Sequence, residues 1–235
     1  MKIISTERHN QNAKVTGIFF ITATVAAIIG LKLYDPILIE SDYLMTGVKN
    51  PNRIVLGAIF ESILAVSAVG TAIMMYPYLK KINESWGLGY VCFRLLEVVF
   101  ILVGIVSMMS IVTLSQGFQN AAESEISSFQ TTVKLLTTIK DWTFVFGPHF
   151  MLGINTFIYS TIFFKSKLIP RKLSILGITG SILIFIGAIL EMFGIISQFA
   201  GEIIALAFPI ALYEMILAVW LIRKGFNLKG YESAH

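Results

Sequence analysis

The stretch "YVCFRLLEVVFILVGIVSMMSIV", Tyr90 to Val112, decides the fold class, because one helix of this length crosses a bilayer. A hydrocarbon core of about 30 Å requires roughly 20 helical residues. Arg94 and Glu97 are the only charged residues in the stretch. They are three residues apart, which places both side chains on one helix face, within pairing distance. The stretch therefore predicts a transmembrane helix with a structural ion pair inside it.

The rest of the chain is similarly apolar. Of its 235 residues, 56% are hydrophobic and 14% are charged, and the mean hydropathy is +0.79. Soluble domains carry roughly 25% charged residues. The predicted fold is all-α, a polytopic transmembrane bundle of six helices, with residues 1–235 as a single transmembrane domain. The six runs lie near residues 14–33, 54–76, 88–113, 142–164, 173–197 and 203–222.

The basic residues predict the orientation of the bundle. Most of the 18 Lys and Arg residues fall on the side of both chain ends. Because cytoplasmic loops are enriched in such residues, both termini are predicted to be cytoplasmic. The pI of about 9.1 then reflects this bias and contact with membrane lipids, so we expect no nucleic-acid partner. The basic residues assigned to the opposite, outer side are Lys32, Lys49, Arg53, Lys134 and Lys140.

The segment between spans three and four has its own periodicity. Between Ser115 and Trp142, apolar residues recur at alternating four- and three-residue steps, as on one face of a helix. We predict an extra amphipathic helix on the outer face of the bundle. A helical extension of the third span is the alternative. The apolar positions are Phe118, Ala122, Ile126, Phe129, Val133 and Leu136.

Ionisable side chains inside the predicted spans are the candidate site. Each charged group at the centre of a membrane helix costs roughly 2.5–3.5 kcal/mol on insertion scales, so these groups should face the protein interior. Four glutamates stand against one arginine and one histidine, so at least two carboxylates are expected to lack a cationic partner. The predicted ligand-binding residues are Glu61, His149, Glu191 and Glu214.

A metal site is an alternative for part of this set. Two carboxylates and an imidazole, from Glu61, Glu191 and His149, are acceptable ligands for Zn²⁺, Mn²⁺ or Fe²⁺. No spacing motif brings the three together, so neither a metal nor another cofactor is predicted. Pro148 offers a structural explanation for His149, because it frees a backbone carbonyl one turn earlier and kinks the helix. Both readings of His149 stay open.

Several short segments resemble a bacterial family of six-span integral membrane proteins catalogued only as a domain of unknown function. They include "FRLLE", "DWTFVFG" and "KSKLIPRKLSILGITG", and the likeness covers nearly the whole chain. The resemblance implies the fold and a bacterial plasma-membrane location, and it implies no activity. Its most specific positions are Ile169, Pro170, Arg171 and Leu173, then Glu214 with Trp220, and Lys224, Gly225 and Phe226.

The intramembrane carboxylates favour a protein that binds or translocates a small solute, an ion or a lipid headgroup, since such groups usually mark ligand pathways. Two alternatives remain. One is an intramembrane enzyme that acts on a lipid through a carboxylate or His149. The other is an accessory or structural membrane subunit, whose buried charges only fix helix packing and whose interior would be dry and fully paired. Whether the protein is an enzyme is therefore undecided by the sequence.

Overall fold

The computed structural model describes residues 6–39, 50–118, 121–198 and 200–227, and within these ranges it is helical and contains no strand. The predicted all-α class is confirmed. A 3₁₀ turn at Glu123–Glu125 and a π-helical segment at Val145–Met151 accompany the α-helices. The α-helices are α1 (Thr6–Ile39), α2 (Pro51–Ile82), α3 (Glu84–Phe118), α4 (Ile126–Phe144), α5 (Leu152–Ser166), α6 (Arg171–Met192) and α7 (Gly201–Lys224).

Five of these helices, α1, α2, α3, α6 and α7, are long and apolar enough to cross a membrane. Their outward faces carry large apolar side chains, such as Val66 and Phe208, that are more than half exposed. A soluble protein would expose contiguous apolar surface on this scale only at a binding site. These are the features of a multi-pass membrane protein.

The boundaries differ from the predicted ones in a consistent way. Helix α1 continues to Ile39 although the apolar run was predicted to end near residue 33, and α2 and α3 also extend beyond their predicted runs at both ends. Hydropathy marks the part of a helix that matches the bilayer, whereas the helix itself continues into polar sequence. Helix α6 ends earlier than predicted, at Met192, where Gly194 adopts a positive φ of 67° and its N–H donates to the carbonyl of Glu191.

The fourth predicted run, 142–164, falls across three helical pieces. Helix α4, the π-helical segment and α5 follow one another without a break from residue 126 to residue 166. The π-helical segment contains Pro148, which lacks the N–H that would continue an α-helix. Helix α4 covers the second part of the segment predicted to be amphipathic, and its Phe129, Val133 and Leu136 pack against α1 and α3 residues. It leads directly into the following helix rather than forming a separate element.

Two apolar clusters close the two ends of the bundle. We call the first the tyrosine cluster; it contains Tyr90, Tyr159 and Tyr213 together with Phe163. The second, the Tyr34 cluster, contains Tyr34 at its centre. Helices α1, α2 and α3 each run from one cluster to the other, and so does the chain from α4 through α5. The buried ionisable residues, such as Glu61, Arg94 and Glu97, lie on the helices between the two clusters.

Helices α6 and α7 cross in direct backbone contact at Gly180. A Cβ added there would lie 2.7 Å from the backbone nitrogen of Ile210 and 3.0 Å from the carbonyl carbon of Pro209. Small residues at such crossings allow close approach of membrane helices, whose association depends on packing rather than on a hydrophobic driving force. The contact fixes α7 against α6 near the middle of both helices.

Substitution of Gly180 by alanine should therefore destabilise the fold. Because the neighbouring atoms belong to backbone, a helix must shift, and overpacking of this kind costs about 1–3 kcal/mol. Thermal unfolding in detergent measures the effect as a lower Tm. Gly201→Ala is the matched control, since nothing lies within 4 Å of a Cβ added there. Equal Tm values for the two variants would contradict the crossing.

Candidate functional site

A cavity of about 300 Å³ lies between the two apolar clusters. Charged side chains from several helices line part of its wall, and apolar side chains, many of them on α1 and α7, line the rest. The charged groups come from several helices and face this single cavity. The ionisable lining residues are Glu61, Arg94, Glu97, Lys140, His149 and Glu214.

Glu61 of α2 forms a buried ion pair with Lys140 of α4. The Nζ atom of Lys140 donates to Oε1 of Glu61 at 2.6 Å, and the two residues are only 4% and 6% exposed. The ammonium also lies 5.1 Å from the ring centroid of Tyr34, a cation–π contact. Lys140 was predicted to belong to the basic residues on the outer side, outside the spans, whereas its side chain is buried inside the bundle. The helix carries it inward because it follows the buried face of α4.

Arg94 and Glu97 of α3 form the predicted ion pair, with Nη1 of Arg94 donating to Oε2 of Glu97 at 2.9 Å. The same carboxylate oxygen accepts a hydrogen bond of 2.6 Å from Nδ2 of Asn155 on α5. Nε of Arg94 reaches the carbonyl of Ala68 on α2 at 3.4 Å. The pair thus connects three helices. Asn155 was not among the predicted site residues, because its amide side chain is not ionisable.

His149 lies in the π-helical segment and contacts Glu191 near the end of α6. Its Nδ1 is 2.6 Å from Oε2 of Glu191, and both residues are 7% exposed. The extra residue of a π turn rotates the helix face, and π segments often occur at functional sites. His149 faces the cavity, whereas Glu191 lies behind it. The prediction that both residues point into the protein is confirmed by their burial.

Glu214 of α7 differs from the other carboxylates. Among the ion pairs in the described part of the chain, none includes Glu214, and its Oε1 is buried without a hydrogen-bond partner. Arg94 interacts with it electrostatically, but Arg94 is already bonded to Glu97. Lys140 supplies a cation for Glu61 that was not predicted inside the bundle, and Glu191 is hydrogen-bonded to His149, which is a cation only when it is protonated. One unpaired carboxylate faces the cavity.

The three residues considered as metal ligands do not form one cluster. Glu61 is bonded to Lys140, while His149 is bonded to Glu191. Within the four described ranges, no three His, Cys, Asp or Glu side chains converge in a way that could hold a metal ion. The chemistry of the cavity is therefore that of neutralised ion pairs around one carboxylate.

Residues 15–225 match the family model described as Domain of unknown function (DUF4386). The chain belongs to this family. The matched range includes all of the cavity and all four intramembrane glutamates, so the site is part of the family domain and not an addition to it. The resemblance read from the sequence is confirmed at the level of the family. No curated protein and no solved structure matches the chain significantly.

Proposed function

We propose that this member of the family binds a small organic cation in the cavity, with Glu214 as the counter-charge. The observation that carries the proposal is an unpaired carboxylate facing a cavity in which the neighbouring charges are already paired. An ionised carboxylate in a low-dielectric site is costly without a partner. A ligand ammonium would supply that partner through charge-assisted hydrogen bonds.

The cavity is large enough to admit such a ligand. A ligand site of about 300 Å³ is at the lower end of the usual range for small-molecule pockets, which are mostly apolar with a few placed polar groups. Here the charged groups sit on α2, α3, α4, the π-helical segment and, at Glu214, on α7, while alanines of α1 and α7 form part of the apolar wall. The wall has both the polar and the apolar parts that an organic cation needs.

Two features favour binding over the structural alternative. A protein whose buried charges only fix packing would pair all of them and leave no cavity among them, whereas here Glu214 is left over beside an open volume. The enzyme alternative needs a second reactive group free to act beside Glu214. Arg94, Glu97 and His149 are each engaged by a protein partner. We therefore place binding, with or without translocation, first.

The same proposal includes a placement of the chain in the membrane. We propose six spans in a bacterial plasma membrane, with both termini cytoplasmic, the unbroken run from residue 126 to residue 166 providing the fourth span. Its support is that this run connects the same two clusters as α1, α2 and α3 do. The tyrosine cluster would then lie on the cytoplasmic side, beside the basic residues Arg223 and Lys224 at the end of α7.

Glu214→Gln tests the proposal, since it keeps the shape of the side chain and removes its charge. Propylammonium is the probe, and thermal unfolding of purified protein is the measurement. A ligand at about 100 times its Kd stabilises a protein by roughly 2.7 kcal/mol, so the wild-type Tm should rise with propylammonium. The rise should be absent in Glu214→Gln, and Tm without ligand should not fall, because an unpaired buried charge has been removed.

Glu202→Gln is the matched control, since Glu202 is an exposed glutamate in the first turn of the same helix. This variant should respond to propylammonium as the wild type does. An unresponsive wild-type protein, or an equal response in Glu214→Gln, would contradict the proposed function.

A further inference from the structure

Helices α1 and α7 touch closely at one level of the bundle. A Cβ added to Gly17 of α1 would lie 2.6 Å from the carbonyl oxygen of Ala218 of α7. Gly225, directly after α7, approaches α1 again, since a Cβ there would lie 3.0 Å from Oδ1 of Asn10. The two helices are therefore in tight contact beside the tyrosine cluster.

Farther from the tyrosine cluster, α1 and α7 each pack against a different helix. Helix α1 packs on α2, where a Cβ on Gly30 would lie 3.1 Å from Cγ of Glu61 and 3.4 Å from the carbonyl oxygen of Gly57. Helix α7 packs on α6 at the crossing described above, and again where a Cβ on Gly187 would lie 2.6 Å from Cδ1 of Ile203. At this level the cavity is lined by both helices, through Ala23 and Ala27 of α1 and through Ala207 and Ala211 of α7.

Residues that are exposed on the outside of the bundle line the cavity on this side. Ile28 of α1 and Ala211 of α7 both line the cavity, and both are exposed, Ile28 by 60%. The other lining residues on the two helices include Ala23, Ala27 and Ala207, whose side chains are short. In a chain that spans the membrane, an opening between two apolar helices at this depth faces acyl chains and not water.

We propose that the gap between α1 and α7 is a lateral portal through which the alkyl chain of an amphiphilic organic cation extends from the cavity into the bilayer. The inference rests on the proposed function and adds the ligand class: a cationic headgroup at Glu214 joined to a single alkyl chain. The lining supports it, because Glu214 lies on α7 three residues from the exposed Ala211, so a charged group and small apolar side chains line the same part of the cavity. A headgroup and a chain would each meet a matching surface.

The experiment compares propylammonium with decylammonium in nanodiscs of phosphatidylcholine, for the wild type, Ala211→Trp and Ala205→Trp. Decylammonium should bind the wild type about ten-fold more tightly than propylammonium. Its longer alkyl chain can pass through the portal and be buried among the acyl chains of the bilayer. In Ala211→Trp an indole fills the opening, and the gain from the longer chain should be lost. Ala205 is an equally exposed alanine on α7 that does not line the cavity, and its tryptophan variant should keep the gain.

The outcomes separate the portal from the binding site. If both ammonium ions bind the wild type with the same affinity, or if Ala211→Trp retains the full gain, the portal is refuted while the proposed function stands. If neither ion binds the wild type, the proposed function fails and the portal with it. A variant that does not fold would show no cooperative unfolding, and Ala207→Trp, at the same opening, then takes its place with the same expectation.

Discussion

Lys140→Met should lower the free energy of unfolding by about 3–5 kcal/mol, since removing one member of a buried ion pair leaves the other charge uncompensated. The partner left behind is Glu61, whose carboxylate is 6% exposed and receives the Lys140 ammonium at 2.6 Å. Methionine preserves most of the volume of the side chain, so the loss should come from the charge and not from a cavity. Denaturant or thermal unfolding in detergent measures it.

The double variant Lys140→Met/Glu61→Gln tests whether the unpaired Glu61 carboxylate causes the loss of stability in Lys140→Met. With the stranded carboxylate removed, most of the lost stability should return, because a buried pair and a neutral replacement are often close in energy. Lys134→Met is the matched control, as Lys134 is exposed on the same helix, and it should change stability little. A mild effect of Lys140→Met, equal to that of Lys134→Met, would mean that α4 does not place Lys140 against Glu61.

Arg94→Met should be at least as damaging, again with a loss of about 3–5 kcal/mol. Arg94 neutralises Glu97 at 2.9 Å, and it is also the cation that interacts electrostatically with Glu214. Its loss leaves Glu97 without its ion-pair partner and removes the favourable interaction with Glu214, and the carbonyl of Ala68 loses a donor. Thermal unfolding again supplies the measurement.

Second substitutions show whether Arg94 stabilises Glu97 alone or both Glu97 and Glu214. Adding Glu97→Gln to Arg94→Met should restore only part of the stability, because Glu214 remains charged, and Glu214→Gln should be needed for the rest. Arg223→Met is the control, since Arg223 is exposed in the last turn of α7, where a cation contributes at most about 1 kcal/mol. Complete rescue by Glu97→Gln alone would show that Glu214 takes no part in the network.

The fold class was predictable because the length of each apolar run can be read directly from the sequence. Each apolar run had to become a helix, since backbone polar groups cannot remain unpaired in lipid. The inward orientation of Glu61 and Glu191 was also readable, because stripes of small residues on the same helix faces indicate close packing against other helices. What a run of hydropathy cannot show is how far a helix continues into polar sequence, as α1 does to Ile39.

The burial of Lys140 could have been predicted from the sequence. The apolar face of α4 runs through Phe129, Val133 and Leu136 at steps of four and three, and the next step of four is Lys140. Continuing the helical period would have placed this lysine on the buried face. Its charge alone predicts a place outside the spans, whereas its position on the helix predicts burial, and the structure shows it buried.

The pairing between helices could not be predicted from the sequence. Glu61 and Lys140 are 79 residues apart, and His149 and Glu191 are 42 apart. Helical periodicity fixes the face on which a side chain lies, but not which neighbouring helix comes opposite that face or at which depth. Those two quantities depend on the crossings at residues such as Gly30 and Gly180, and they decide that Glu214 is the carboxylate left without a partner.

Anomalous diffraction from crystals of the protein with 3-bromopropylammonium would locate an organic cation directly. We expect one bromine peak inside the cavity between α1 and α7, with the ammonium roughly 3 Å from the carboxylate of Glu214. Crystals of Glu214→Gln should lack that peak. A cavity filled by protein side chains, with Glu214 bonded to one of them and the bromine elsewhere, would contradict the proposed site.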